Sequence, residues 1–123
     1  MSQSAIDHLI ATLRPRLGDR VGDRLQRLSE SQAGWDGRDA QPMCLRSLEN
    51  LVTLSQALTL PGQDLGLFLE HSGNLVINWP AANGSRVDVS IGPCMLEICT
   101  DALNLELVID DPLLAQRIAE IHF

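Results

Sequence analysis

The chain contains no lysine and no tyrosine, and Trp and Phe together make up only 3% of its 123 residues. Its nine basic residues are therefore all arginines, and against sixteen acidic residues they leave a formal net charge of −7. Because an acidic protein repels nucleic-acid phosphates, direct binding to DNA or RNA is not expected. Basic proteins, or protein surfaces that normally bind nucleic acid, are the expected partners.

Long apolar runs, a secretory leader and a disulfide pattern are also missing. No apolar stretch approaches the roughly 18 residues that a membrane helix needs. The first residues, Met1 to Ser4, lack the basic start and apolar block of a signal peptide. Cys44, Cys94 and Cys99 form an odd set without the spacing of a disulfide framework, which suits a reducing compartment. We therefore expect a cytoplasmic protein that does not enter a membrane.

The length of the chain predicts one domain, residues 1–123, with a core of its own. The charge is uneven along that domain. Residues 1–40 hold six arginines and six acids, whereas residues 41–123 hold three arginines and ten acids. The whole negative balance therefore belongs to the part of the chain after residue 40.

Residues 67–109 show the alternation of apolar and polar side chains that indicates half-buried β-strands. The apolar positions are Leu75, Ile77, Trp79, Val87, Val89, Ile91, Leu96, Ile98, Leu105, Leu107 and Ile109. Tight-turn sequences at residues 72–74, 82–84 and 92–93 separate the runs, and connections this short require antiparallel neighbours. We therefore predict an antiparallel meander of four to five strands, with residues 67–71 as the additional candidate.

The region before the meander, residues 4–59, is predicted to be helical. An apolar stripe recurs every three or four residues up to Leu28, although Pro15 interrupts it. One kinked helix and two helices meeting at Arg14–Pro15 fit this pattern equally well. A further helix is expected to begin with Pro42 and to end near Thr59. Its predicted buried stripe consists of Leu45, Leu48, Leu51, Val52, Ser55 and Leu58.

A last helix, residues 112–121, is predicted after the meander. Asp110 and Asp111 precede Pro112, a combination typical of a helix start. The expected fold is therefore α+β, with the N-terminal helices and the C-terminal helix packed on one face of the antiparallel sheet.

Four arginines share one side of the first helical region at i, i+4 spacing: Arg16, Arg20, Arg24 and Arg27. Asp19 and Asp23 lie beside them, within reach of local ion pairs. A solvated row with such pairs is one interpretation. A second surface that contacts a partner or an anion is the other.

Residues 31–41 are predicted to form a loop around Gly34-Trp35-Asp36-Gly37. Two glycines that flank an aromatic residue and an acid indicate a fixed turn. A Trp side chain buries about 200 Å² when it is inserted into a protein. We therefore interpret Trp35 and Asp36 as structural anchors of the loop, with the indole inserted into the domain.

The same loop resembles a group of small bacterial proteins that carry a Trp-Asp-Gly-x-Gly-Ala-x-Pro stretch. The matching features are Trp35-Asp36-Gly37, Ala40 and Pro42, an amphipathic helix, and a strand pair that ends in Trp79. The resemblance extends over residues 34–100. Asp39 stands where the group usually has its second Gly, and Arg38 stands where an aromatic is common. The resemblance implies the α+β fold and adds no catalytic residue.

Signatures of catalysis and of metal binding are weak. The sequence lacks phosphate-binding loops, a nucleophile elbow and a zinc-binding helix motif. His8, His71 and His122 are far apart, and Cys94 and Cys99 are expected on opposite faces of a strand. We therefore expect a protein that is not an enzyme, with no catalytic residues, no metal and no cofactor.

Acidic residues fall on the strand positions opposite the apolar ones: Glu70, Asp88, Glu97, Glu106 and Asp110. On adjacent antiparallel strands such side chains stand about 5 Å apart and destabilise the sheet. Val76, Met95 and Val108 share this face and are expected to form its apolar centre. An ordinary hydrated face that resists aggregation is one interpretation. A surface for an Arg- or Lys-rich partner is the other.

The expected function is a small protein-binding module of the inhibitor, antitoxin or immunity type, of bacterial or phage origin, that binds a basic protein through its acidic sheet face. The alternative is a self-associating structural or accessory protein. In that case the apolar stripe of the N-terminal helix pairs with a second copy to form a homodimer.

Overall fold

The computed structural model describes residues 3–121 and residue 123. The elements in chain order are α1 (Gln3–Leu17), α2 (Asp19–Ser29), α3 (Leu45–Ala57), β1 (Gly66–Leu69), β2 (Leu75–Pro80), β3 (Arg86–Ile91), β4 (Met95–Cys99), β5 (Asn104–Val108) and α4 (Leu114–Ala119). The five strands form one sheet in the order β1-β2-β3-β4-β5, and every neighbouring pair is antiparallel. The predicted α+β meander with N-terminal helices and a C-terminal helix is therefore confirmed.

One face of the sheet forms half of the hydrophobic core. Val87 and Val89 of β3 and Leu96 and Ile98 of β4 are at most 1% exposed, as the alternation predicted. The helices supply the other half, since the core cluster includes buried side chains from all four of them. Because burying one aliphatic side chain contributes about 1.5–3 kcal/mol, this face holds the sheet against the helices.

The first helical region divides at Gly18, not at Pro15. Pro15 lies inside the last turn of α1, and Gly18 separates α1 from α2 with a φ of 91°. The N–H of Gly18 donates to the carbonyl of Arg14 at 2.8 Å. Glycine adopts this left-handed conformation without a Cβ clash, so the chain reverses there. Two helices are present, but the junction predicted at Arg14–Pro15 is wrong.

The apolar stripe of α1 and α2 is buried inside the chain's own core. Leu13 and Leu17, which were expected at a homodimer interface, are 0% and 4% exposed. The stripe continues through Val21, Leu25 and Leu28 of α2, which are also buried. Dimerisation through this stripe would require the domain to open.

Helix α3 begins later than its sequence predicts, and only part of the predicted stripe, Leu48 and Leu51, is fully buried. Pro42 lies outside the helix, because the N–H groups of Gln41 and Cys44 donate to the carbonyls of His71 and Gly73 at 2.8 Å each. These bonds hold the chain before Leu45 in an extended path along the β1–β2 turn. The buried residues of α3 are Ser47, Leu48, Asn50, Leu51 and Leu54. The predicted stripe members Val52 and Ser55 are only half-buried.

Two buried polar side chains connect α3 to the end of β3. The Ser47 hydroxyl donates to the carbonyl of Ile91 at 2.6 Å and accepts from the N–H of Leu75 at 2.8 Å. The Asn50 amide donates to the carbonyls of Gly92 and Pro93 at 2.8 and 3.0 Å. Since buried polar groups need such partners, these bonds fix the position of α3 along the sheet.

The closing helix α4 is shorter than the predicted residues 112–121. It begins at Leu114, while Asp111 accepts the N–H of Leu113 at 2.9 Å and the guanidinium of Arg117 at 2.6 Å. The aspartate therefore stabilises the turn that enters the helix. Across residues 3–121, none of the helices combines the length and the apolar character needed to cross a membrane.

Candidate protein-binding face of the sheet

The sheet face opposite the core is called the outer face. Its strand residues are Gly66, Phe68, Val76, Asn78, Pro80, Arg86, Asp88, Ser90, Met95, Glu97, Cys99, Asn104, Glu106 and Val108. The predicted acidic residues Asp88, Glu97 and Glu106 lie on this face. Glu70 and Asp110 continue the same parity just beyond the ends of β1 and β5.

Glu97 and Glu106 are direct cross-strand partners on β4 and β5. Side chains in such a pair have their Cβ atoms about 4.5–5.5 Å apart, so their charges repel. Both residues are exposed. Within the part of the chain that the structure describes, no arginine forms an ion pair with either carboxylate. This pair is the uncompensated negative centre of the outer face.

The other predicted acids have local partners or lie apart from this pair. Glu70 accepts hydrogen bonds from the hydroxyls of Ser90 at 2.9 Å and Ser72 at 3.3 Å. Asp88 lies 3.7 Å from the guanidinium of Arg86. Asp110 is exposed in the turn that follows β5. The structure therefore does not gather the five acids into one cluster.

The exposed apolar side chains of the outer face are the pair Met95–Val108 and, on β1, Phe68, but not Val76. Val76 is 6% exposed, because it lies in an inner strand between Phe68 of β1 and Ser90 of β3. Its predicted contact with a partner is therefore wrong. Met95 and Val108 are direct cross-strand partners and are 36% and 49% exposed. They lie one row from Glu97 and Glu106 on the same two strands.

Groups for metal binding are not gathered on this face. Among residues 3–121 and 123, no three His, Cys, Asp or Glu side chains are placed to hold a metal ion together. Cys99 is exposed and its thiol contacts the amide oxygen of Asn104 at 3.5 Å. A depression of about 170 Å³ lies beside Ser90, Met95 and Glu97, and His71 and Cys99 do not line it. His122 lies outside the described residues.

Three of the four arginines in the row bind other segments of the chain. Arg16 donates to the hydroxyl of Ser55 at 3.0 Å. Arg20 donates to the carbonyls of residues 62, 63 and 65 at 3.0, 3.3 and 2.6 Å, and Arg24 donates to the carbonyl of Leu67 at 3.1 Å. Arg27 is exposed. Arg16, Arg20 and Arg24 therefore attach α2 and the end of α1 to neighbouring segments, which neither interpretation of the row predicted.

The local ion pairs predicted for this row involve a different arginine. Asp19 and Asp23 lie 3.4 and 2.9 Å from the guanidinium of Arg14. Arg14 belongs to the last turns of α1, and the two acids belong to α2, so these contacts bridge the junction at Gly18. The hydrogen bond that Arg14 donates to the carboxylate of Asp23 is the main reason that the pKa of Arg14 is raised.

The loop at residues 31–41 is held by Asp36, whereas Trp35 remains at the surface. Trp35 is 40% exposed, so its predicted insertion is wrong, and its indole N–H donates to the carbonyl of Gln41 at 2.6 Å. Asp36 accepts the N–H groups of Arg38 at 2.9 Å and Ala40 at 3.3 Å. Its other oxygen lies 3.1 Å from His71 of the β1–β2 turn. The N–H of Arg38 and the contact with His71 lower the pKa of Asp36.

No protein family, curated protein or solved structure matches this chain. The resemblance of residues 34–100 to the small bacterial proteins with a Trp-Asp-Gly-x-Gly-Ala-x-Pro stretch therefore stays a prediction.

Proposed function

We propose that this chain is a small, acidic, non-enzymatic protein-binding module of the inhibitor, antitoxin or immunity type, and that its outer face binds a basic protein. The observation that carries the proposal is the cross-strand pair of Glu97 and Glu106, with which no arginine of the described residues forms an ion pair. Like charges directly opposite destabilise a sheet by about 0.2–1 kcal/mol. A cationic partner that sits between them would remove this cost and gain two charge-assisted contacts.

The apolar side chains next to this pair support the same use. Met95 and Val108 place an exposed apolar patch beside the two carboxylates, on the same strands and the same face. Interfaces typically combine an apolar centre, in which Met is enriched, with a polar rim. The carboxylates then determine the orientation and the choice of partner, and the apolar pair supplies area that is removed from water.

The distribution of charge in the whole chain favours a basic partner. The net charge of −7 belongs to residues 41–123, which include the entire sheet. Opposite charge on a partner accelerates association and makes binding sensitive to salt. Cys94 and Cys99 are free, exposed thiols, which favours a reducing compartment such as the cytoplasm.

The test compares two triple charge reversals with the same change in net charge. The first carries Asp88→Lys, Glu97→Lys and Glu106→Lys on the outer face. The control carries Glu30→Lys, Asp64→Lys and Glu120→Lys, which are exposed acids outside the sheet. Each tagged chain is used to capture partners from a lysate of the source cells, and mass spectrometry identifies the proteins that the unmodified chain retains.

The identified partner is then titrated into each variant by calorimetry at low and physiological salt. We expect the outer-face variant to bind at least about 30-fold more weakly, because like charges in an interface cost several kcal/mol. The control should change affinity much less. Circular dichroism and thermal unfolding check that both variants are folded. Equal affinity of a folded outer-face variant and the unmodified chain would refute the proposal.

A further inference from the structure

Strand β5 is an edge of the sheet with unpaired backbone groups. Thr100 and Leu103 exchange backbone hydrogen bonds across the β4–β5 turn, and the N–H of Ile109 donates to the carbonyl of Cys94. In an antiparallel pair the bonded positions alternate, so Leu105 and Leu107 also bond β4. Asn104 and Glu106 therefore direct their N–H and C=O groups away from β4. In the described part of the chain, no other strand pairs with β5.

The opposite edge of the sheet, strand β1, is covered by two arginine side chains of α2. The outward carbonyl of Leu67 in β1 accepts the guanidinium of Arg24, and the carbonyl of Leu65 accepts that of Arg20. These side chains lie where an incoming strand would have to pair with β1. Covering an edge strand in this way is a common protection against unwanted pairing. The sheet thus has one obstructed edge and one open edge.

Exposed apolar side chains lie on and beside the open edge. Leu103 immediately precedes β5, Val108 lies within it, and Met95 is opposite Val108. Leu103 is 36% exposed. Sequence alternation did not identify Leu103, because it lies outside the strands. Exposed apolar groups beside unpaired backbone groups are typical of a surface that receives another chain.

We infer that an extended segment of the basic partner pairs with β5 and adds a sixth strand to the sheet. The inference rests on the proposed function and names the part of the partner that is bound. Side chains of an added strand alternate between the two faces. Those on the outer face meet Asn104, Glu106 and Val108, so Arg or Lys is favoured beside Glu106. Side chains of the added strand that lie on the core face meet Leu105, which is half-buried. Apolar residues are therefore favoured at those positions of the partner.

A second copy of this chain fits the edge less well than a basic segment does. Two β5 strands that pair antiparallel about Glu106 would place this carboxylate opposite its own copy. Like charges directly opposite each other destabilise a strand pair, and Glu97 adds a further negative charge in the same row. The charge of the edge therefore selects a cationic strand and rejects a copy of itself.

The probe is a capped eight-residue peptide in which Arg and Val alternate. A peptide of the same composition with all Arg residues at one end is the control, since it has equal charge without the alternation. Amide hydrogen exchange is measured by NMR on the complete chain, with and without saturating peptide. We expect the amide protons of Asn104 and Glu106 to exchange at least about 10-fold more slowly in the complex. The amide protons of Leu105 and Leu107 already form hydrogen bonds to β4, so their exchange rates should change little.

Three protein variants separate strand pairing from charge. Asn104→Pro removes an outward N–H at the start of the strand without changing the charge, a position where an edge strand tolerates Pro. It should weaken binding of the alternating peptide at least about five-fold, which corresponds to one lost hydrogen bond. Glu106→Gln should weaken binding in a salt-dependent way. Phe68→Ser changes an exposed residue at the other end of the same row and should have no effect.

The possible results are distinguishable. Absence of new protection at Asn104 and Glu106 at millimolar peptide overturns the inference, and this measurement does not depend on any variant. If Glu106→Gln weakens binding while Asn104→Pro does not, the partner lies across the outer face. The proposed function then stands and the strand pairing is overturned. If the β5 amides are protected equally by both peptides, or if the outer-face triple reversal leaves protection unchanged, strand pairing stands without charge recognition and the proposed function fails.

Discussion

The Ser47 hydroxyl lies 2.6 Å from the carbonyl oxygen of Ile91, to which it donates a hydrogen bond inside the core. The Ser47 hydroxyl oxygen also accepts the N–H of Leu75 at 2.8 Å, so one small side chain joins α3 to both β2 and β3. The carbonyl and the N–H belong to residues that are themselves buried. Neither group can turn to water if the hydroxyl is removed.

Ser47→Ala should therefore destabilise the protein by about 1–3 kcal/mol, because it leaves buried backbone groups unpaired. Ser55→Ala in the same helix is the comparison and should cost less, since Ser55 is only half-buried and water can replace its contact with Arg16. Urea unfolding followed by circular dichroism measures both free energies. If the two substitutions lowered the free energy of unfolding equally, the buried hydrogen bonds of Ser47 would stabilise the protein no more than the half-buried contact of Ser55 does.

Neutralising one member of the Glu97–Glu106 pair should stabilise the free protein. Glu106→Gln removes a like-charge contact, and we expect a gain of about 0.2–1 kcal/mol at low salt. The gain should shrink as ionic strength rises, since exposed charges are screened. Glu120→Gln, at the end of α4, removes an equal charge without a carboxylate opposite. If Glu106→Gln stabilised the protein less than Glu120→Gln does, the proposed repulsion between Glu97 and Glu106 would be contradicted. Thermal unfolding at two salt concentrations makes the comparison.

The loop around Asp36 should contribute stability that depends on pH. The pKa of Asp36 is lowered, chiefly by the N–H of Arg38 and also by His71. A carboxyl whose pKa is lower in the folded state contributes stability above its unfolded pKa of about 3.9, and this contribution is lost as the pH falls through the folded pKa. The difference in unfolding free energy between the unmodified chain and Asp36→Asn should be constant near neutral pH and should decrease in acid.

Urea unfolding across the acid range measures this difference. Asp64→Asn, an exposed acid before β1, is the control and should leave the pH dependence nearly unchanged. A difference between the unmodified chain and Asp36→Asn that grows as the pH falls would have the wrong sign. The assigned role of the Asp36 carboxylate would then be incorrect.

Gly73 in the β1–β2 turn should tolerate no side chain. Its φ is 90°, and a Cβ at this position would overlap the carbonyl oxygen of Pro42. Gly84 has a similar φ of 83° but nothing within 4 Å of an added Cβ. Gly84→Ala should therefore cost about 1–2 kcal/mol, the price of the left-handed conformation alone. Gly73→Ala should cost more, because the segment at Pro42 must also move. Chemical unfolding of both variants provides the comparison.

Alternation located the strands because it depends only on local geometry. Every second side chain of a strand points to the core, and the run Arg86–Ile91 carries this pattern without interruption, so its predicted and observed bounds agree. The pattern is less informative for β2, where Val76 is buried on the outer face as well. That burial depends on Phe68 and Ser90 of the neighbouring strands, and one strand's sequence does not reveal its neighbours.

Contacts between distant segments explain the helix predictions that are wrong. Pro42 fits a helix start, but the bonds from Gln41 and Cys44 to the β1–β2 turn keep that segment extended. Ser47 and Asn50 are polar, and the predicted buried stripe of α3 did not include them. Their partners lie in backbone more than 25 residues away, at separations of 28, 44, 42 and 43 residues. Propensity and periodicity contain no information about such partners.

The sequence predicted which acidic residues lie on the outer face, but not how they are arranged there. Strand parity placed Glu97 and Glu106 on one face, yet the register that sets them opposite each other depends on the turn at residues 101–102. The open edge at β5 follows from the strand order, which the meander implied. Its flanking side chain Leu103 lies in a turn, where no period applies, so the sequence did not distinguish it.

The guanidinium of Arg24 on the carbonyl of Leu67 limits how many molecules a strand-mediated assembly can contain. Fibrils grow because each sheet has two free sides, one to join the previous molecule and one to receive the next. A sheet that is blocked on one side by its own helix can accept a single neighbour and then has no place for another. Any complex formed through β5 should therefore have a fixed stoichiometry of one to one, and polymerisation should begin only after α2 detaches from the sheet.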